Sequence, residues 1–539
     1  MTWHCPCQNL LGRLDPLFHQ GKKENALCWR VGTISESGIF FRVHSGVFGK
    51  RVRVFLPLRI FLLPLGLCLG VFPSCTVGPD YEEPIVKMPD SWTFAVSEDL
   101  KANRSGSQIW WQRFQDPTLN RLIEYARIGN PNIRIAEARI RQAWYQRGVL
   151  ASAFYPHLRS TGRDEYGMGG FDRSGINFDP FESHGQLAQI DAGWELDLFG
   201  QIKRQTEAAE AEWQARTEGL RDAQVFISAE VALNYIALRT LEDQLGIAHQ
   251  SSDTFKEIYL MIKGRAEEGI SAEVDVAESE ARLRSAEAEI PRLEKEVALI
   301  KNRLAALTAT DPRSLRAFLS PGRIPGPPTS VFEGYPAKLL RSRPDVRRAE
   351  RKIANQTALV GVATADLYPQ LSLSGAITYE FLSRGGTTEL LTRVMGLGAT
   401  LRHRIYEGCR IRYRIKEQKA ILDEIIIDYE KTIISAVNET EDALASLHYE
   451  EKRLDKLVAA VAAHERTASL MLDAYKIDLV DLRRLLNSNQ DVFATKDEEA
   501  ATKGRRAAHA VRLFKALGGG ELPAPEFPKT KKSSWKPFP

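Results

Sequence analysis

Three carboxylates, Asp191, Glu195 and Asp197, fall on one side of a strictly alternating stretch, Ala188–Leu198. Apolar residues take the other side: Ala188, Ile190, Ala192, Trp194, Leu196 and Leu198. A period of two over such a length marks a strand with one wet and one dry face. Repeated around a symmetry axis and turned to water, the carboxylates would make an anionic ring that favours cations. In the simpler role they only keep a wall wet. A half-buried strand of a soluble protein reads the same way. So does a transmembrane strand of about 9–11 tilted residues, apolar outward and polar toward a lumen. Catalytic chemistry has no foothold. There is no G-x-S-x-G, H-E-x-x-H, P-loop or dinucleotide fingerprint, the histidines are scattered, and His464-Glu465 lies on a polar helix face.

Cysteine is the second reactive type. Five of the six cysteines precede residue 76, and none has the spacing of a zinc site or a disulfide framework. Cys75 stands apart because of what precedes it. Lys50-Arg51-Val52-Arg53 leads into an apolar run ending at Phe72, too short after Arg59 to span a bilayer of about 20 helical residues. A basic segment, a short apolar segment and small residues before a cut site describe a secretory signal. Phe72-Pro73-Ser74-Cys75 resembles a bacterial lipobox, in which the cysteine becomes the new N-terminus and carries acyl chains. Residues 50–75 are therefore expected to be a signal peptide with lipobox. Residues 1–49 are either a leader or an upstream mis-start. The formal net charge of +4 over 539 residues gives no support for a nucleic-acid partner, and the basic tail, 518–539, reads as solvated disorder.

The elements that position the alternating stretch occur twice. Gly148–Gly162 and Val360–Gly375 each open as an Ala-rich helix, reach a Tyr-Pro step (Tyr155-Pro156, Tyr368-Pro369), and leave as a strand. Proline lacks the helix N–H and pushes its predecessor toward extended geometry, so the helix must end there. In the second copy Leu371, Leu373, Gly375, Ile377, Tyr379 and Phe381 alternate with polar residues, and Met395, Leu397, Ala399 and Leu401 form a partner run. Each half thus has two strands around a loop, at about 167–186 and 382–393.

Each strand pair is followed by a very long helix, at about 201–268 and 408–477, and a return helix, to about Leu307 and over about 479–517. Apolar residues from Leu283 to Leu307 step by three and four without a slip, a coiled-coil seam, with Pro291 expected to kink it. A return helix of ~55 Å and a membrane-side helix of ~35 Å nearly match one long helix of ~100 Å, so the two short ones should stack end to end. The chain divides into an extended link (76–109), a first repeat (110–320), a linker (321–332) and a second repeat (333–517). Four strands cannot close a barrel, and an open sheet edge cannot sit in lipid. Three copies would supply about twelve strands.

At this point the residues resemble a known family. RSRPDVRRAERKIANQTALVGVATADLYPQLSLSG (Arg341–Gly375), WWQRFQDPTLNRLI, WELDLFGQIKR and SCTVGPDYEEP are similar to the TolC-like outer-membrane factors, in particular their OprM-type lipoprotein branch. The resemblance implies an α+β, mostly α fold: a trimeric 12-stranded transmembrane β-barrel, four strands per chain, continued by a long periplasmic α-helical barrel. It implies no enzyme, no cofactor and no metal beyond a lipid on Cys75. The implied activity is passive export of drugs or other small solutes from the outer membrane. The implied partners are a homotrimer, outer-membrane lipid, a periplasmic adaptor and an inner-membrane pump of the resistance-nodulation-division type. Type I protein secretion shares the architecture. A structural periplasmic coiled coil would explain the seams but not the strands. By the same resemblance the periplasmic aperture lies at Ala266–Ser279 and Ala474–Gln490, with Asp275, Asp481, Arg483, Arg484 and Asn487 as its polar residues and Asp478 in place of a turn glycine. Asp275 is expected to pair with Arg484 between neighbouring hairpins.

Overall fold

The computed structural model describes residues 30–31, 41–42, 76–84, 92–93, 110–172, 178–327, 340–384 and 388–519. The chain divides into two compact units, Met1–Pro73 and Ser74–Pro539. In the first, Arg30–Val31 and Phe41–Arg42 pair antiparallel. The expected signal peptide, Cys75 and the basic tail lie outside the described residues, apart from Gly518 and Gly519.

In the second unit, Pro117–Gly129 (α1) and Pro131–Ala151 (α2) begin at side-chain caps. Asp116 accepts from the N–H groups of Thr118 and Leu119, Asn130 accepts from that of Asn132, and a proline follows each cap. That arrangement satisfies N–H groups that have no intrahelical acceptor. After Tyr155-Pro156 come the antiparallel strands His157–Asp172 (β1) and Phe178–Leu196 (β2). Gln201–Glu267 (α3) runs away from them and Glu273–Thr308 (α4) returns, with Pro291 accommodated inside the continuous helix. A short helix, Pro312–Phe318 (α5), ends the repeat. The second repeat supplies Pro344–Ala365 (α6), Gln370–Arg384 (β3), Thr388–Arg402 (β4), Arg410–Lys476 (α7) and Leu482–Ala516 (α8).

The strands are longer, and the loops between them shorter, than the alternation indicated. β1 and β2 pair from His157–Gly193 out to Asp172–Phe178, and β3 and β4 from Gln370–Arg402 out to Arg384–Thr388. The apolar alternation fades in the outer third, where Gly167, Ser183 and Glu182 replace it, while backbone pairing continues. The sheet order is β1-β2-β3-β4, so β1 and β4 are its free edges. The helices follow the same lateral order. α3 packs on α2, α4, α6 and α8, and α7 packs on α6 and α8, leaving α2 and α4 at one side and α7 at the other.

The expected stacking is seen at two joints. Asn130 Nδ2 donates to the carbonyl of Leu307, tying the start of α2 to the end of α4 at 2.7 Å. Trp110, Trp111 and Phe114 pack with Phe514, Tyr235 and Leu304 in the core beside the joints. A second cluster of Phe255, Ile258, Ile262, Leu283, Tyr475 and Leu485 seals the far end of the four long helices. No helix among the described residues is long and apolar enough to cross a membrane.

Candidate functional site on the polar sheet face and the helical tips

Residues opposite one another in antiparallel register point to the same face of a sheet. One face carries Leu158, Ile190, Ala192, Trp194, Leu371, Leu373, Ile377, Met395, Leu397 and Leu401. Several of these large side chains, Leu158, Met395, Leu397 and Leu401 among them, are exposed. Aromatic groups mark both ends of that face. At the helical end Trp194 Nε1 donates to the Phe154 carbonyl at 2.9 Å, and Phe199 stacks on Tyr368. At the other end Tyr166 stacks on His184, and the Arg393 guanidinium sits 5.6 Å from the centre of the Tyr379 ring. The ten residue steps of β2 from His184 to Trp194 span ~33 Å along the strand, or ~25 Å of height at a ~40° tilt. That is the height of an outward apolar band between two aromatic girdles.

The opposite face is polar. Asp191 lies on it, in register with Arg159 of β1 and Ala376 of β3. Glu195 lies on it too, opposite Ser372 and exposed. Arg163 is on the same face, 3.3 Å from Glu165. The alternation made the face look anionic because it was read on one strand. The register adds three arginines, Arg159 and Arg163 of β1 and Arg402 of β4, and two further acids, Glu165 and Glu380. Asp197 is not part of the face: it lies beyond Leu196, and its Oδ2 accepts from the Lys203 N–H at 2.8 Å. It fastens the first turn of α3, whose cap residue Gly200 is left-handed and has no side chain to do so.

At the other end of the helices the two tip turns are built alike. Gly269 and Asp478 both have positive φ, 77° and 59°. The N–H after each bonds back to the helix: Ile270 to Arg265 O, and Leu479 to Ala474 O. These bonds are the termination in which a left-handed residue ends a helix. Within the chain, Asp275 accepts from the Ala272 N–H at 3.3 Å, and Arg484 lies 3.9 Å from Asp481 in its own helix. The expected Asp275–Arg484 pair is not formed between these two hairpins. Asp481 caps α8 by accepting from the Arg484 N–H at 2.9 Å. Arg483 lies 3.6 Å from Glu278, and Asn487 accepts from Arg282, which also donates to Gln490. The shortest cross-hairpin ion pair is Arg265–Asp478, at 2.6 Å. Sequence reading passed over Arg265 because a basic residue in the last turn of a helix is ordinary. The signal lay in Asp478, a non-glycine where the turn requires positive φ. Among the described residues no group of three His, Cys, Asp or Glu could hold a metal.

The outer membrane efflux protein profile matches residues 122–310 and 335–519, one segment in each repeat. Nodulation protein T of Rhizobium leguminosarum bv. viciae is 28% identical over 480 residues, covering 88% of this chain and 96% of that protein. Outer membrane protein OprJ of Pseudomonas aeruginosa is 27% identical over 463 residues, covering 85% of this chain and 95% of that protein. Among solved structures, the outer-membrane channel OprN superposes with a TM-score of 0.73 at 32% identity, over 83% of this chain and 99% of that one. The architecture is that of the trimeric TolC-like channels: three chains share a twelve-strand barrel that continues into a helical barrel. A four-strand sheet with two free edges, an apolar face of membrane height and a profile match in both repeats lead to one conclusion: the chain belongs to the outer membrane efflux protein family, the efflux channels of the outer membrane whose helices extend into the periplasm.

Proposed function

We propose that this channel is a passive export duct for small solutes, not an enzyme, and that its tips receive a periplasmic adaptor which joins it to an inner-membrane pump of the resistance-nodulation-division type. The observation that carries this reading is the matched pair of tip turns. Each exposes an aliphatic residue at the same position after its left-handed residue, Ile270 at 58% and Leu479 at 73%. Val274 and Ile477 widen the two patches. Exposed aliphatic groups at the extremity of a periplasmic helix are costly in water unless a partner covers them. Three chains would present six such turns in a ring, which suits an adaptor that assembles around the same axis. The repeats 110–320 and 333–517 are the units that carry one turn each.

Acylation at Cys75 belongs to the same reading. Val77 N–H donates to Phe199 O at 3.2 Å, so the chain reaches residue 76 at the helical end of the sheet, beside the inner aromatic girdle. An acyl chain one residue away would enter the adjacent leaflet. Labelled palmitate incorporation that is lost in Cys75→Ser tests it.

For the adaptor, the test is complementation of a deletion strain against a panel of antibiotics and dyes. Ile270→Asp together with Leu479→Asp is expected to abolish resistance while trimer assembly in the outer membrane stays normal. Full resistance from the double variant would sink the docking reading.

A further inference from the structure

The residues after the expected lipid site form a strap, and the strap fills a groove. It runs between α3 and α6. Gly78, at φ +90°, packs so closely on Gly361 of α6 that an added Cβ would stand 2.4 Å from the Gly361 Cα. From α3, the buried Arg204 donates to Val77 O at 3.1 Å and to Asp80 Oδ1 at 2.7 Å, and Lys203 Nζ donates to Thr76 Oγ1 at 2.9 Å. A glycine on one helix and a cation in the first turn of the next thus grip an extended segment that carries a carboxylate.

Both halves of this grip recur in the other repeat. Gly148 precedes Tyr155-Pro156 of α2 by the same interval that separates Gly361 from Tyr368-Pro369. Arg412, in the first turn of α7, matches Arg204 when counted from Gly200 and Gly408. It matches Lys203 when counted from the left-handed cap residues Gly200 and Cys409. In either register it corresponds to a strap-holding cation. Yet nothing lies within 4 Å of a Cβ built on Gly148. Among the described residues Arg412 makes no ion pair, whereas Arg404 and Arg414 approach Asp366 and Arg410 pairs with Glu407 at 2.6 Å. The reason is topological: α3 and α6 are neighbours within one chain, but α2 and α7 stand at its two lateral edges, so that in a three-chain ring they can meet only across a subunit boundary.

We propose that the groove formed between α2 of one subunit and α7 of the next binds the anionic headgroup of a glycerophospholipid from the periplasmic leaflet, with Arg412 holding the phosphate. The site lies at the membrane boundary, because β4 ends at Arg402 and α7 begins at Arg410. From Arg402 to Lys416 the chain carries five arginines, one lysine and a histidine against one acid, Glu407. Such a density of cations beside a bilayer favours acidic lipid. Ile405 and Tyr406, 90% and 86% exposed, offer an apolar flank for the acyl chains above the headgroup. The first groove already shows the chemistry: its cation recognises a carboxylate, and a phosphate oxygen makes the same charge-assisted bond. The proposal needs the three-chain ring but not the adaptor reading.

The test is native mass spectrometry of the full trimer, purified in mild detergent and mixed with phosphatidylglycerol or with phosphatidylcholine. The wild-type trimer is expected to retain phosphatidylglycerol in preference, one per subunit boundary. Arg412→Gln is expected to weaken retention roughly tenfold, the loss of one charge-assisted contact. Gly148→Leu fills the groove without altering charge and should weaken it comparably, while Arg313→Gln, far from the membrane end, should not. Equal retention of both lipids by the wild type would overturn the proposal. So would undiminished phosphatidylglycerol in Arg412→Gln, or an Arg412→Gln trimer that dissociates while the wild type holds no lipid, which would give Arg412 to a neighbouring chain.

Discussion

Arg343 Nη1 donates to the carbonyl of Ala516 at 2.6 Å, which pins the start of α6 to the end of α8. Its position is that of Asn130, which pins α2 to Leu307 in the first repeat. The two residues make the same joint, the one that lets two stacked helices stand as one beside a helix of 67 residues. Asn130 does it with a neutral amide. Arg343 adds Asp345, through Nε and Nη2 at 3.0 and 2.8 Å, and Glu439 at 2.8 Å.

That difference makes the second joint sensitive to charge and to pH. Arg343→Met would leave Asp345 largely buried without its cation, which costs about 3–5 kcal/mol. Burial pushes the Asp345 carboxyl up, but the hydrogen bonds and charge of Arg343 outweigh burial and hold it below the usual carboxylate range. A carboxyl depressed in the folded state contributes stability above its unfolded value of ~4 and loses it as pH falls through the folded value. The gap in unfolding midpoint between wild type and Arg343→Met is therefore expected to be full at pH 7 and to narrow below pH ~4 to the part left by the lost Ala516 hydrogen bond. An undiminished gap at pH ~2 would show that packing and the Ala516 bond, not charge, set the cost. The double variant with Asp345→Leu should recover much of the loss.

At the tip, Asp478 sits in a left-handed conformation that costs a non-glycine residue energy, and its carboxylate pairs with Arg265, itself 5.3 Å from the centre of the Tyr475 ring. The pair joins two hairpins, so its expected role is to limit how far they part. Asp478→Gly removes the backbone strain and the tie together. Thermal stability should hardly change, while bilayer conductance and uptake of a large hydrophilic dye rise. Asp478→Lys, which faces Arg265 with a like charge, should leak more. Arg484→Glu disturbs only a contact within its own helix and should leak less than either. Wild-type conductance in Asp478→Lys would remove the pair from any gating role.

How much of this was legible in the sequence follows from which interactions are periodic. The long helices were readable within a few residues because Leu283 to Leu307 repeats one beat over many turns. The stacked pairs followed from length alone. The strands were found but drawn short, because alternation stops where Gly167 and Ser183 begin while the ladder does not. Asp197 was placed on the strand because its spacing continues the alternation of Asp191 and Glu195, although the chain has already turned toward Gly200. Arg204 was invisible for a different reason. A basic residue near a helix start usually faces water, and only the strap, more than 120 residues earlier, buries it. Contacts of that kind leave no local pattern.

The strap gives a direct check on that last point. Gly78→Ala would both strain a φ of +90° and drive a Cβ into the Gly361 backbone. The strap should lift from α6, and limited proteolysis of the assembled trimer should cut within 76–84 where the wild type resists. Gly148→Ala, with open space around it, should leave the wild-type digestion pattern unchanged. Equal protection in Gly78→Ala would mean that Arg204 and Asp80 hold the strap without the glycine contact.

The polar sheet face sets a last expectation. Asp191, Glu195, Glu165 and Glu380 alone would make a cation-preferring lumen, but Arg159 lies directly across the β1–β2 ladder from Asp191, Arg163 pairs with Glu165, and Arg402 lies on the same face at the helical end. Opposite charges in register largely cancel at the distance of a passing ion, so the wild-type channel should select only weakly between potassium and chloride. Arg159→Gln is expected to move the reversal potential in a salt gradient toward the cation value, and Asp191→Asn toward the anion value. The double variant should return near the wild type. Asp197→Asn should leave the reversal potential alone and reveal itself only as a loss of stability of about 1 kcal/mol, since its carboxylate secures the Lys203 N–H. A reversal potential that moves with Asp197 and not with Arg159 would mean that the lumen is read at the strand–helix junction and not along the ladder.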